Sequence, residues 1–339
     1  MVIIRADANK TIATGHVMRC CSIALALENL GEEVLFVTAD EDSADLFTRN
    51  GQSFRVLHSD YRRMEEELPV FSEIIRQTHR KFILVDSYQA TESYLTSLRD
   101  LAPVVYVDDL SVIHCPLDGV LAYTVGTKER AKDYSNALHT YLGAEYAPLR
   151  PQFYPENRPA SQGNLSPEHI LITAGGGGKA VELIRMILKQ FSGDSFWKDY
   201  VFDLVIGSFS GEPELFSDFG LKTKLHVNVL DMAGLYSHMS AAVSAGGSTL
   251  YELAAMEVPT VSFSFADNQL INVKEFDRLR MIPYAGNLPN EVTLERISEL
   301  LKGLLRDKKT KDLAIQAMKE HVFGDGARNL ATSLLKDFA

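Results

Sequence analysis

Cysteine is scarce in this chain: Cys20, Cys21 and Cys115 are the three among 339 residues. An adjacent pair and one distant residue make neither a disulfide framework nor a metal-ligand spacing. That usage fits a reducing compartment. Long apolar runs are missing as well. No stretch reaches the roughly 20 apolar residues that a membrane-spanning helix needs. Arg5, Asp7 and Lys10 interrupt the segment where a secretory signal requires an apolar core. Positive charge is in deficit, with 34 Lys and Arg against 45 Asp and Glu and a formal net charge of −11. Nucleic acid or an anionic membrane would repel such a chain, so neither is expected as the main partner. A cytoplasmic protein is the expectation. An anionic substrate would have to be held by local devices, such as helix N-termini and a few placed cations. The chain also lacks a Gly-x-Ser-x-Gly elbow, a His-Glu-x-x-His zinc motif and the kinase set. Hydrolysis, if present, must activate water without a serine triad or zinc.

What the chain has in abundance is alternation of short β-rich runs with longer amphipathic ones. Strands are predicted in the first half at Val2–Ala6, Glu33–Thr38, Phe54–Leu57, Phe82–Val85 and Val104–Val107. Helical patterns at Val17–Leu30, Tyr61–His79 and Glu92–Leu101 lie between them. Runs such as Phe82-Ile83-Leu84-Val85 are apolar throughout, as strands covered on both faces are. Strand–helix alternation implies right-handed βαβ units and parallel sheets. Residues 148–166 are rich in proline and poor in apolar residues, and read as a linker. The alternation then restarts with strands at His169–Thr173, Phe202–Ile206, Lys224–Val229, Ala241–Ser244 and Thr260–Phe263. A chain of this length exceeds the usual size of a single core. The expected organisation is therefore an N-terminal domain over 1–147, the linker, and a C-terminal domain over 167–339, whose last helix can pack back on the first domain.

Three stretches carry candidate chemistry. Thr14-Gly15-His16-Val17-Met18-Arg19 follows the first strand and opens the first long helix. A ligand crevice in an α/β fold lies beyond the carboxyl ends of the strands. The helix N-terminus carries about half a positive charge, which favours a neutral imidazole able to accept a proton. The plainer account is a histidine that only starts a helix. Ser244-Ala245-Gly246-Gly247-Ser248-Thr249-Leu250-Tyr251-Glu252 runs from a strand through two glycines into a helix. Glycines there admit a phosphate to the backbone, Ser248 is an N-cap candidate, and Glu252 is placed to accept from ribose hydroxyls. A tight turn without a ligand fits the same residues. Ala174 to Lys179 likewise joins strand to helix but fails as a P-loop, since Thr173 and Ala180 stand where Gly and Ser or Thr are required. Gly175 and Gly176 then read as an approach loop for phosphate or sugar, with Lys179 a candidate cation; a flexible turn fits the same residues. Asp267-Asn268-Gln269 offers amides that can read a sugar, or an N-cap. Asp86-Ser87-Tyr88 and Asp108-Asp109 end strands on the edge that holds His16. Adjacent aspartates point to opposite faces of a strand, so a shared metal is disfavoured.

Taken in order along the chain, Arg5-Ala6-Asp7, Thr14–Arg19, Asp86 with Tyr88, Val107-Asp108-Asp109, Tyr146–Phe153, Ser244–Glu252 and Asp267–Gln269 resemble the PseG/SpsG family. PseG members are UDP-2,4-diacetamido-2,4,6-trideoxy-beta-L-altropyranose hydrolases, and SpsG proteins serve spore-coat polysaccharide synthesis; both are related to MurG. The resemblance implies an α/β, GT-B-like fold: two Rossmann-like βαβ domains whose parallel sheets face a central cleft. It also implies a function, release of the free sugar and UDP with inversion, in pseudaminic acid or surface polysaccharide synthesis. His16 would activate the water and Tyr88 would support the catalytic step. Asp7, Gly15, Arg19, Asn268 and Gln269 would bind the sugar. Gly175, Gly176, Gly246, Gly247, Ser248, Thr249 and Glu252 would bind UDP. The expected partner is a UDP-sugar, with no cofactor, no metal, no nucleic acid and no membrane insertion, in a monomer or weak homodimer. A GT-B glycosyltransferase and a non-catalytic nucleotide-sugar-binding protein are the alternatives. Ser87 stands where family members often carry histidine, and Gly175–Lys179 replaces a Gly-Gly-Ser/Thr-Asp-Pro loop. Val120-Leu121-Ala122-Tyr123 stands where the family has an asparagine-rich stretch. All three departures bear on the sugar.

Overall fold

A computed structural model describes residues 1–110, 113–160, 168–207 and 216–338. The chain forms two compact units: Met1–Arg150 together with the segment from Asp325 onward, and Pro151–Gly324.

The first unit is built on β1 (Val2–Ala6), α1 (Gly15–Glu28), β2 (Val34–Thr38), α2 (Ala44–Arg49), β3 (Phe54–Val56) and α3 (Leu68–Gln77). It continues through β4 (Ile83–Asp86), α4 (Glu92–Arg99), β5 (Val104–Val107), β6 (Leu117–Ala122) and β7 (Ala137–Leu142). These seven strands make one sheet in the order β3-β2-β1-β4-β5-β6-β7, and every pair is parallel. Both faces are covered, so β1 and β4 are buried at every position. One core layer gathers Ile3, Ile83, Val85 and Val104 against Phe71, Tyr94 and Leu98. The predicted helix over Tyr61–His79 is shorter in the structure. A 3-10 turn over Met64–Glu67 precedes α3, and Pro69 sits in the first turn of α3. Its missing amide hydrogen and fixed φ are tolerated there and not deeper in a helix.

The second unit runs through β8 (His169–Thr173), α5 (Ala180–Ser192), β9 (Val201–Ile206), β10 (Lys222–Val227), α6 (Met232–Tyr236) and β11 (Ala241–Ala245). It continues with α7 (Thr249–Ala255), β12 (Thr260–Ser264), α8 (Leu270–Arg278), β13 (Tyr284–Asn287), α9 (Glu291–Arg306) and α10 (Lys308–His321). Its parallel six-stranded sheet has the order β10-β9-β8-β11-β12-β13. Ile170, Ile172, Phe202 and Leu204 meet Leu183, Ile187, Ile297 and Leu301 of α5 and α9 in its core. The stretch that reads as a linker is partly structured: Pro151–Phe153 forms a 3-10 turn, and Phe153 is fully buried beside Tyr236, with ring centroids 6.1 Å apart. Gln152 donates to the Leu230 carbonyl and accepts from the Ala233 amide. Aromatic burial, not composition, decides that segment; its residues 161–166 lie outside the described residues.

The last helix, α11 (Gly326–Asp337), belongs to the first unit and packs along α1. Leu330, Ala331 and Leu334 are fully buried there. Asn329 donates to the Glu145 carbonyl and Tyr141 to Asp337. A Cβ on Gly326 would lie 2.3 Å from the Ala147 carbonyl oxygen, so only glycine permits this approach. No helix among the described residues is long and apolar enough to cross a membrane.

Each sheet has one place where strand order reverses, between β1 and β4 in the first and between β8 and β11 in the second. Loops leaving neighbouring strands diverge at such a point and open a crevice at their carboxyl ends. The candidate residues cluster at these two places.

Candidate active site

At the first reversal, the loop after β1 is shaped by Asn9, whose Oδ1 accepts from the amides of Thr11 and Ile12. Ala13 takes a positive φ of 59°, and α1 begins at Gly15. His16 is buried to 7% exposure. Its Nδ1 lies 2.6 Å from Oδ1 of Asp86, the last residue of β4. A carboxylate only accepts, so this contact places the imidazole proton on Nδ1 and leaves the Nε2 lone pair available. Arg19 Nη2 also lies 3.2 Å from Nδ1. The shorter contact to Asp86 fixes the assignment, and the guanidinium edge packs beside the ring.

Arg19, one turn further along α1, is the organising cation. Its Nε and Nη2 donate to the two oxygens of Asp86, each at 2.6 Å. Its Nη1 donates to Asp109 at 2.6 Å and to the Tyr123 hydroxyl at 2.7 Å. Four N–H groups are thus committed and the fifth faces His16. The resemblance assigns Arg19 to the sugar; the structure instead commits its donors within the protein, as a brace for Asp86 and Asp109. Burial alone would raise the Asp86 carboxyl. The Arg19 guanidinium, together with His16, overrides it and holds that carboxyl well below the usual carboxylate range. Burial likewise opposes the Arg19 charge, and Asp109 and Asp86 more than offset it. Burial pushes the neighbouring Cys20 thiol far up, so it is a packing group and not a nucleophile.

Tyr88 donates its hydroxyl to Asp109 at 2.9 Å. Its ring meets the His16 ring edge-on, with centroids 4.6 Å apart at 78°. Asp109 therefore ties Tyr88 to Arg19, while Asp108 turns away to accept from the Leu110 amide. Asp7 accepts from Thr38 and the Ala39 amide through Oδ1. Its Oδ2 is 2.6 Å from Arg5 Nη1, at an angle that makes no hydrogen bond. The fully buried Arg5 is otherwise held by Glu67. Asp7, Ile12, His16, Tyr61, Asp86, Ser87, Tyr88 and Gln89 line one small pocket. Gly15 opens onto free space, with nothing within 4 Å of where a Cβ would sit.

At the second reversal, Gly175 after β8 has φ +82°, which favours glycine. A Cβ on Gly207 would lie 2.7 Å from the Gly176 Cα, so Gly176 packs on the loop after β9. After β11, a Cβ on Gly246 would lie 2.4 Å from Val273 and 3.1 Å from the Gln269 Cβ. Gly246 thus has a packing reason of its own, whereas Gly247 has open space. Ser248 departs from its predicted role. It already has helical dihedrals (φ −59°, ψ −22°), and its side chain makes no cap; an N-cap needs an extended backbone to turn its hydroxyl toward the helix amides. Thr249 begins α7. Glu252 accepts from the Tyr236 hydroxyl at 3.1 Å. Asn268 is exposed, and Gln269 Oε1 accepts from the Phe265 amide. Asn272, absent from the sequence reading, donates to the carbonyls of both Gly246 and Gly247. Nothing local in the sequence marks it. Among the described residues no group of three or more His, Cys, Asp or Glu could hold a metal ion.

No protein-family model matches the chain. It is 23% identical over 279 residues to a Helicobacter pylori protein named pseudaminic acid cytidylyltransferase and UDP-2,4-diacetamido-2,4,6-trideoxy-beta-L-altropyranose hydrolase, covering 81% of this chain and 46% of that protein. It is also 23% identical over 275 residues to an uncharacterized protein of Methanocaldococcus jannaschii, covering 77% of this chain and 54% of the other. The chain thus spans about half the length of the curated relatives it matches. Among solved structures it superposes on Acinetobacter baumannii MurG with a TM-score of 0.68 at 13% identity over 99% of both chains. It superposes on LpCGTa in complex with UDP with a TM-score of 0.71 at 14% identity, over 100% of this chain and 99% of that one. The fold is that of GT-B glycosyltransferases: two Rossmann-like domains, each with a parallel sheet and flanking helices.

Proposed function

We propose that the chain hydrolyses a UDP-sugar at its anomeric carbon. The observation that carries this reading is the His16–Asp86 pair at the strand-order reversal of the first sheet, with Nε2 left to accept a proton. In the proposed step a water oxygen bonds to the anomeric carbon, the bond from that carbon to the diphosphate oxygen breaks, and UDP leaves with its electron pair. The water proton passes to His16 Nε2. Attack opposite the leaving group inverts the centre. Asp86 holds the imidazole in the required tautomer, a role that positioned carboxylates play for catalytic histidines. Tyr88, whose ring meets the imidazole edge-on, is assigned a supporting role in that step.

Asp7, Gly15, Asn268 and Gln269 are assigned to the sugar, with Arg19 bracing the pair behind them. Gly246, Gly247, Ser248 and Thr249 are assigned to the diphosphate, with Gly175 and Gly176 on the neighbouring strand end. Glu252, oriented by Tyr236, is assigned to the ribose. The sugar class, a 2,4-diacetamido-2,4,6-trideoxy altropyranose, is taken from the name of the Helicobacter pylori relative. We assign the reaction to the cytoplasm.

A second reading has its own support. Solved structures similar to this chain include a spinosyn forosaminyltransferase and a Rickettsia africae glycosyltransferase. On that reading His16 of this chain would deprotonate a sugar hydroxyl in place of water. Turnover of the UDP-sugar in water enriched in heavy oxygen separates the readings. Label on the released sugar is the expected result. Label on UDP means attack at phosphorus and refutes the proposal, and turnover only with an added sugar acceptor establishes the transferase.

A further inference from the structure

Gln269, the N-cap residue of α8, and Asn272, Val273 and Phe276 within it stand at the i, i+3, i+4 and i+7 spacing that shares one helix face. The first three meet the β11–α7 connection, and Phe276 meets α7 itself. Gln269 and Val273 bound the space beside Gly246. Phe276 meets the Tyr251 ring edge-on, with centroids 5.0 Å apart at 81°. Asn272 supplies the polar grip. Its Nδ2 donates to the Gly246 carbonyl at 3.0 Å and to the Gly247 carbonyl at 3.3 Å. Its Oδ1 accepts from the Tyr251 hydroxyl at 2.8 Å. Backbone carbonyls only accept, so they fix which end of the amide is nitrogen. Tyr251 is 1% exposed, and the bond to Oδ1 in turn locks the side-chain rotamer.

Two consecutive glycines would otherwise leave this turn free to adopt many backbone conformations, since neither carries a Cβ. A loop that must present its amides to a diphosphate binds best when that conformation exists before the ligand arrives. We infer that Asn272 is the residue that sets the Gly246–Gly247 turn for the diphosphate of the nucleotide, its two donors holding both carbonyls toward α8. The inference rests on the UDP reading above. Asn272 acts through the turn and is a positioning residue, not a catalytic one.

The distinguishing readout is the ratio of UDP to uridine affinity, because uridine has the base and ribose but no phosphate. In Asn272→Ala, titration calorimetry should show UDP weakened about tenfold, the loss expected for two hydrogen bonds that order a loop, with uridine nearly unaffected. A ratio equal to that of the native chain overturns the inference and leaves the UDP reading standing. Failure of the native chain to bind UDP overturns that reading, and this inference with it. Should the variant not fold, the side-chain amide resonance of Asn272 in the native protein serves instead. It should move on adding UDP and stay in place on adding uridine, and an equal response to both ligands overturns the assignment.

Discussion

Replacing Asp86 by asparagine tests the core of the first site. Asp86 is 1% exposed and receives N–H groups from His16 and twice from Arg19, each at 2.6 Å. An asparagine of the same shape supplies one acceptor oxygen and turns its NH2 toward a donor. Removing one partner of a buried ion pair costs roughly 3–5 kcal/mol; Asp109 still faces Arg19, which points to the lower end, roughly 3 kcal/mol. Two units need not unfold together, so a single melting curve is a poor measure. Hydrogen exchange in β1 and β4 reads the first unit directly, and roughly 3 kcal/mol appears as about a hundredfold loss of protection. Turnover should fall by about 10² to 10⁴, because the imidazole is no longer held in its base-competent tautomer. His16→Ala is the matching control: it removes the base but leaves the Arg19–Asp86 pair, and costs only about 1 kcal/mol of stability. Acid supplies a third arm. The folded-state carboxyl titrates below its unfolded value, so its stabilisation is complete above about pH 4 and is lost as pH falls through the depressed value. The asparagine variant should lose less of its stability across that acid range than the native chain. Native turnover in Asp86→Asn would refute the orienting role, and equal stability losses in the two variants would refute the brace.

Two further outcomes follow from packing. Leu334→Ala in α11, at a fully buried position, should cost about 2–5 kcal/mol; hydrogen exchange should place the loss in β1 and α1 of the first unit and spare β8 and β11. Gly246→Ala puts a Cβ 2.4 Å from Val273 and should cost about 1–3 kcal/mol through overpacking. Adding Val273→Ala should return part of that loss in a double-mutant cycle read by hydrogen exchange in β11 and α7.

The strands at the centres of both sheets were legible because burial on both faces writes itself as uninterrupted apolar runs. β6 was not, since Asp118 and Gly119 break its pattern, and the small residue serves a contact: a Cβ there would lie 3.1 Å from Val105. β13 contains Gly286 at φ +134°, which reads as a turn. Asp86, Tyr88 and Asp109 were visible as polar residues at strand ends, and His16 as a polar residue opening the first helix. Their pairing was not, because Arg19 reaches partners 67 and 90 positions away, and the sheet order alone brings them together. Ser248 shows the limit of local chemistry: a good capping residue makes no cap when the helix geometry already includes it.

The placement of α11 bears on how the protein is made. Ribosomes emit residues in order, and domains commonly fold as they emerge. Here the residues that cover α1 follow the whole of the second unit in the sequence. Until Leu330, Ala331 and Leu334 have left the exit tunnel, the first unit carries an apolar groove open to water. The histidine-bearing helix α1 is thus covered only after the whole of the second unit has been synthesised. A chaperone that shields apolar surface would find its target on α1 during that interval.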